Sequence, residues 1–413
     1  MDSIDAIFEL FLAQLSEPWI LKTLGFAILV GSVMELISES GGIEGFVKKA
    51  QNNNYFSSSK RNTLLLTYFI GVIIFIESSI TSLIAGAVGK PLCDKQEISH
   101  AKLAFICDST SAPISSLIVL NGWGALLLGL IATQKTQGLI SGDSVDILIS
   151  AVSYNFYAII ALAVTFLSIW FNIDIAYMKD AKLYPHHKLA TIKNEKSMFY
   201  MLLPILFMII SVFVFLYITG NGNMLKGSGS SSIFYTMIST LFFMFLFYIP
   251  TKNMSAKTFA KSSILGAKKL FPIAAILLFA FAIGKVTTEL KTGLYLASLA
   301  SDNLNVVFLA GVIFLLSSLI SFSTGTSWGT FSIMIPVAVP MAVGMDANVA
   351  LSIGAVISGG VFGDHCSPIS DTTIISSMAS DCEVIEHVKT QLPYALISGV
   401  IALILFIIFS FIS

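Results

Sequence analysis

The stretch VISGGVFGDHCSPISDTTIISSM, residues 356–378, puts Asp364, His365, Asp371 and a row of serines and threonines inside an apolar run that extends from Val349 to Met378. A run of about 20 apolar residues is long enough to cross a bilayer as a helix. Gly359, Gly360, Gly363 and Pro368 interrupt this one. Broken backbone at membrane depth survives only where protein or a watery cavity satisfies its hydrogen bonds. Charge, hydroxyls and a break in one span therefore predict an all-α polytopic membrane protein with broken or re-entrant helices around a polar centre.

The rest of the chain agrees. Of 413 residues, 55% are hydrophobic and 11% charged, where a soluble domain carries about 25% charged residues. Mean hydropathy is +0.86. A water-facing surface cannot be built from so few charges. The net charge of -1 supplies no basic field for nucleic acid. Cys93, Cys107, Cys366 and Cys382 are widely spaced with no Cys-x-x-Cys, which argues against a disulfide scaffold or a zinc site. Residues 1–14 are acidic and mildly amphipathic, unlike a targeting segment. Apolar runs at 19–37, 64–88, 146–171, 198–219, 233–249, 270–286, 306–320 and 392–411 read as spans. With the interrupted runs at 103–133, 321–343 and 349–378, roughly ten to twelve helices are expected.

Lysine and arginine set the expected orientation. They cluster at 48–61, 179–196 and 252–269, whereas the loop at 220–231 has only Lys226. The three clusters are expected on the cytoplasmic side of the cell's inner (plasma) membrane, with the acidic N-terminus outside. The spans from Trp19 and Leu270 then run in opposite directions. Three short echoes join those regions. Gly31-Ser32-Val33 echoes Gly284-Lys285-Val286, and Gly71-Val72-Ile73 echoes Gly311-Val312-Ile313. Phe105, Asp108 and Pro113-Ile114-Ser115 echo Phe362, Asp364 and Pro368-Ile369-Ser370. The reading is an N-terminal segment (1–16), a first repeat (17–171), a central loop with a helix hairpin and basic loop (172–268), and a second repeat of inverted topology (269–413).

Carboxylates within spans cost about 2.5–3.5 kcal/mol each on insertion scales, so each is a functional candidate. Glu35, Glu77, Asp108, Asp364 and Asp371 qualify. Glu35 lies near a span end and can reach water. Glu77 precedes Ser78, Ser79, Thr81 and Ser82; Asp108 precedes Ser109, Thr110 and Ser111; Asp364 and Asp371 enclose Ser367 and Ser370 and precede Thr372 and Thr373. Carboxylate, hydroxyl and freed carbonyl oxygens are hard ligands that suit sodium, and the same carboxylate can carry a proton. Helix capping competes as an explanation for Asp108 and Asp364, but a serine caps without a buried charge. Asp371, in the first turn after Pro368, also suits the helix dipole. Thr324, Thr326 and Ser327, beside Gly325 and Gly329, form a second candidate segment, for which small-residue helix packing is the alternative. His365 is a hydrogen-bond partner or a proton relay. His186 and His187, in the lysine loop, are expected in water. No buried lysine or arginine anchor for a carboxylate substrate is evident, which favours an inorganic cation.

Thr324-Gly325-Thr326-Ser327-Trp328-Gly329-Thr330 and Gly363-Asp364-His365-Cys366-Ser367-Pro368-Ile369-Ser370-Asp371-Thr372-Thr373 resemble the two C-terminal signatures of the NhaC-type sodium/proton antiporter family. Asp108-Ser109-Thr110-Ser111-Ala112-Pro113, followed by Gly122-Trp123-Gly124, resembles its N-terminal signature with Ser111 in place of a common alanine. The likeness extends over roughly residues 17 to 413. It implies an ion-coupled carrier of the ion transporter superfamily, with the matching acids and hydroxyls at its ion site. Where the family often has paired aspartates, this chain has Phe75-Ile76-Glu77-Ser78. Some members exchange organic acids or move amino acids.

The expected function is secondary active transport, with sodium/proton antiport by alternating access ahead of cation-coupled exchange of a small organic acid or amino acid. The expected sodium, proton or substrate site comprises Asp364, Asp371, Asp108, Glu77, Thr324, Thr326, Ser327, Ser367 and Thr372. The partners are sodium, the proton, in the alternative a small organic solute, and the lipid bilayer; an oligomer is left open. No cofactor is expected beyond Na+ and H+ as transported or coupling ions. An ion channel is the alternative from another class, but a channel more often repeats one filter around an oligomer. No His-Glu-x-x-His, Gly-x-Ser-x-Gly or Walker sequence is present, and Gly360-Val361-Phe362-Gly363-Asp364 only loosely resembles an aspartyl-protease motif. An enzyme is therefore not expected.

Overall fold

The computed structural model describes residues 12, 15–51, 59–75, 78–119, 121–181, 183, 196–224, 227–289 and 305–412, which are helical with no strand among them. Among the described residues six helices are long and apolar enough to cross a membrane: Ile20–Glu39, Phe199–Thr219, Val306–Thr324, Ser327–Gly344, Val349–Cys366 and Val384–Ile412. Ser144–Ser153 and Phe156–Trp170, bent by 42°, make a seventh as a pair. The chain is a multi-pass membrane protein. That count is below ten to twelve in part because the apolar runs at 64–88 and 103–133 are each divided between two helices.

The run at 64–88 is the clearest case. Helix α3 (Lys60–Ile73) stops at Ile74, and α4 (Ser78–Lys95) begins beyond it. Both outer ends lie together, since Lys60 Nζ donates to Glu97 O at 3.1 Å. The run is thus a helical hairpin rather than a crossing. Helices α5 (His100–Leu117) and α6 (Gly122–Thr136) follow, with Asn121 capping α6 through Gly124 N–H. Then come α7 (Ser144–Ser153), α8 (Phe156–Trp170) and a pair of helices, α9 (Phe199–Thr219) and α10 (Gly229–Tyr248).

The C-terminal part has a similar order of helices. Helices α12 (Leu309–Thr324) and α13 (Ser327–Gly344) form a second hairpin, with Gly325 in the left-handed region and Thr326 capping α13. Helix α14 (Val349–Cys366), a break, and α15 (Asp371–Ser380), capped by Ser370, form a second broken span before α16 (Val384–Ile412). The helix ends correspond at a nearly constant spacing along the chain: Ile73 with Thr324, Leu117 with Cys366, and Gly122 with Asp371.

The two broken spans run opposite ways. His100, which opens α5, meets Asp381, which ends α15, at 3.0 Å. Gly354, near the start of α14, lies against Ala151 and Tyr154 at the other end. The first helix, α1 (Pro18–Glu39), packs on α11 (Ala256–Glu289). Asn253 Nδ2 donates to Ser40 O and Ser32 Oγ to Ser263 O, so contacts descend α1 as they ascend α11: the pair is antiparallel. A methyl on Gly266 would sit 2.0 Å from Gly31 O, and only small residues allow this approach.

The described flanks of the basic loops gather at one end. Lys196 Nζ bonds Asn253, Lys196 N donates to Gly41 O, and Arg61 lies over the Trp170 ring. Glu35 pairs there with Lys269 at 2.6 Å. At the opposite end Lys22 Nζ donates to Ser231 Oγ.

Each hairpin tip meets the break of its following span. Asn121 Nδ2 donates to Phe75 O at 3.0 Å in the first half, and Ser367 Oγ donates to Phe322 O at 2.8 Å in the second. Gly325 has φ +68°, and a Cβ there would meet Ile369 O at 2.6 Å. Strain and overlap together give Gly325→Ala an expected cost of about 1–3 kcal/mol. A clear drop in the thermal unfolding midpoint of the detergent-solubilised protein is the expected reading; an unchanged midpoint contradicts this packing.

Candidate functional site

Asp364 lies in the last turn of α14, one turn before the break, and is fully buried. Thr372, at the start of α15, donates to its Oδ2. Among the described residues its Oδ1 has no partner. A buried carboxylate oxygen left open is costly unless a cation or proton occupies it. The Thr373 hydroxyl lies 3.3 Å from both Asp364 O and Asp108 Oδ2, and so joins the two acids.

Asp108 is also fully buried, but it is well supplied. Its Oδ2 accepts from Gln391 Nε2 at 2.7 Å and faces His387 Nε2 at 3.3 Å; its Oδ1 accepts from Ser376 Oγ at 3.4 Å. Gln391 Nε2 also donates to His365 O at 2.9 Å, tying α16 to α14 behind both acids. His365 Nδ1 meets Tyr157 OH at 2.9 Å, and its Nε2 has no partner among the described residues. Ser82 of α4 meets Ser376 at 3.0 Å, so the first hairpin touches the same cluster. The site thus draws on α4, α5, α8, α14, α15 and α16.

Of the expected residues, the structure brings together Asp364, Asp108, Thr372 and, beside them, His365. Ser367 holds the second tip through Phe322 O. Thr324 is exposed, and its hydroxyl bonds back to Ile320 O at 2.8 Å. Thr326 caps α13 and Ser327 is buried behind it. Asp371 is exposed at the start of α15. Glu77 lies outside the described residues, as do His186, His187 and Lys226.

Three expectations need correction. Asp108 does not sit at a break: α5 continues through Pro113 to Leu117, while Asp364 is at a helix end. The echo of Gly71 and Gly311 is out of register, because Gly71 is near the tip of its hairpin and Gly311 near the open end of the other. A buried cation does exist: Lys102, on α5, is 5% exposed and pairs with Asp174 at 2.7 Å.

His387, Gln391, Tyr157 and Asn155 did not stand out in sequence. Residues 384–391 look like a polar loop before an apolar run, yet they form the first turns of α16. The i, i+4 spacing of His387 and Gln391 is the signal that puts both on one helix face. Asn155 marks the bend between α7 and α8, bonding Ser116 at 2.8 Å and Ser358 at 2.9 Å. The run at 146–171 hides that bend because its hydropathy is continuous. Among the described residues no group of three or more His, Cys, Asp or Glu could hold a metal ion. What the cluster offers is hard oxygen: carboxylate, hydroxyl and carbonyl.

Residues 121–411 match the family described as "Na+/H+ antiporter family". An uncharacterized protein of Haemophilus influenzae is 34% identical over 396 residues, covering 90% of this chain and 75% of that protein. An uncharacterized Na+/H+ antiporter of the same organism is 40% identical over 90 residues, 21% of this chain and 19% of that one. The malate-2H+/Na+-lactate antiporter of Bacillus subtilis is 38% identical over 109 residues, 25% of this chain and 23% of its own length.

Proposed function

Because the chain belongs to the Na+/H+ antiporter family and is a secondary transporter, we propose that it exchanges sodium for protons at the buried Asp364–Asp108 cluster. The observation that carries this reading is the open oxygen of Asp364 in a fully buried setting. Sodium would sit against Asp364 Oδ1, with Thr372 and the freed carbonyls of the break completing a shell of hard ligands. A proton on the same oxygen would neutralise it when sodium leaves. Thr373 and Gln391 hold the second acid and the α14 backbone in register. Of the other expected ligands, Glu77 is adjacent in sequence to α4, which reaches the cluster through Ser82.

Residues 17–171 and 269–413 are proposed as two inverted repeats rocking about this centre. The antiparallel α1–α11 pair and the opposed broken spans support that geometry. The basic end is assigned to the cytoplasm, in the plasma membrane. Sodium is preferred over an organic acid as cargo because Lys102, the buried lysine of α5, is already paired with Asp174.

Purified protein in sealed liposomes tests the proposal. An imposed sodium gradient is expected to drive protons the opposite way, read with an internal pH dye, and malate or lactate is expected to add nothing. Proton movement that requires an organic acid would transfer the cargo assignment to that solute.

A further inference from the structure

Lys102 and the cavity above it have no part in the cluster described so far. Helices α5, α8 and α16 enclose a narrow cavity with about 180 Å³ of empty space, pinched too tightly to hold a water. Phe105, Ser109, Tyr157, Thr165, Tyr394 and Ser398 line it. At one side it reaches Tyr157, whose hydroxyl meets His365, the neighbour of Asp364. At the other, the Phe105 and Tyr394 rings stack at 4.4 Å. Lys102 Nζ lies over both rings, at 5.4 and 5.3 Å. It also bonds Ser168 of α8 at 3.3 Å and Asp174 at 2.7 Å, and the Asp174 side chain is 40% exposed at the basic end. The Tyr394 hydroxyl accepts from Ile175 N at 3.0 Å and lies 3.3 Å from Ile173 O, on either side of Asp174.

Solvent, Asp174, Lys102, the stacked rings, the cavity, Tyr157 and His365 thus follow one another in contact. From this order we infer that the α5–α8–α16 cavity is the access route between the ion cluster and the basic end, and that Lys102, Asp174 and Tyr394 form its gate. Three properties support the assignment. Among the apolar Ala161, Val164 and Ala395, the walls carry the hydroxyls of Ser109, Tyr157, Thr165 and Ser398; Thr165 and Ser398 donate to their own helix carbonyls, which leaves their oxygens able to accept from water or meet a cation. The seal is one ion pair and one ring stack deep. The Asp174 side chain is 40% exposed, so water can take over its carboxylate as the pair parts, while Lys102 keeps Ser168 and the two rings as partners. The fastening also joins α5 to α8 and α16 at the basic end, so parting it frees the Lys102 end of α5 while Gln391 and His387 still hold Asp108 to α16.

The inference rests on the exchanger reading, but its test needs no flux. Cys93, Cys107, Cys366 and Cys382 are all buried and are replaced to give a silent background. Thr165→Cys then reports the cavity, and a membrane-impermeant methanethiosulfonate is applied from the side of the lysine-rich loops. The parent should react slowly. Asp174→Asn and Tyr394→Phe should each raise the rate roughly tenfold, the weight of a hydrogen bond or so in an opening equilibrium. Should Asp174→Asn fail to fold, Tyr394→Phe decides alone, since it keeps the ring stack. Unchanged rates, or faster reaction from the opposite side, overturn the gate. A protein that exchanges sodium for protons but shows no change in labelling refutes the gate alone. A protein whose labelling changes as expected but which moves neither ion refutes the exchange and leaves the gate standing.

Discussion

Replacing Asp364 with asparagine is expected to reduce sodium-driven proton movement to the level of protein-free liposomes. Asn keeps the size of the side chain, and its carbonyl can still accept from Thr372, so the α14–α15 break should stay folded. What goes is the charge. An ion in a buried site that loses its oppositely charged partner is destabilised by about 3–5 kcal/mol, a hundredfold or more in affinity. The amide cannot take up a transportable proton either, so both halves of the exchange fail together. Retained monodispersity and an unfolding midpoint near that of the parent show that the loss is chemical rather than a folding defect. Full exchange by a well-folded Asp364→Asn protein removes the carboxylate from the mechanism.

The second large effect concerns pH. If sodium and the proton take turns on one oxygen, each must weaken the other. The sign follows from mass action: lower pH means more protons, more protonated Asp364, and weaker apparent sodium affinity. Every unit of pH multiplies proton activity tenfold. Once the protonated form dominates, apparent sodium affinity should therefore fall by about tenfold per unit when one proton competes. Toward alkaline pH it should level off. Asp108 is not expected to produce this behaviour alone, because Gln391, His387, Thr373 and Ser376 already surround its oxygens.

Much of this arrangement is legible in the amino-acid order, for identifiable reasons. Asp364, Thr372 and the break at Pro368 lie within nine residues, so one stretch carries the charge, the hydroxyl and the interruption together. The opposed directions of α1 and α11 follow from where the lysines fall, and the packing of Ser40 on Asn253 agrees. The hairpin at 60–95 is not legible: a continuous apolar run has the same hydropathy whether it crosses or folds back at Ile74. Asp108 looks like the mirror of Asp364 because each precedes a proline. Yet Pro113 is absorbed within α5, while Pro368 lies in a break. His387 and Gln391 are hidden by their neighbours, since Glu386 and Lys389 give the start of α16 the look of a loop. Only the fold shows that this polar turn faces Asp108. Lys102 is overlooked for the same reason, at the edge of an apolar run, although packing against Phe105 and Tyr394 buries it.

Equilibrium binding of radiolabelled sodium to the purified protein, from acidic to alkaline pH, tests most directly whether the two ions share Asp364. The parent protein should bind sodium at alkaline pH and lose affinity steadily as the solution is acidified, while Asp364→Asn should bind little at any pH. A sodium affinity that stays constant across the range, or that survives in Asp364→Asn with its pH dependence intact, would contradict the shared site.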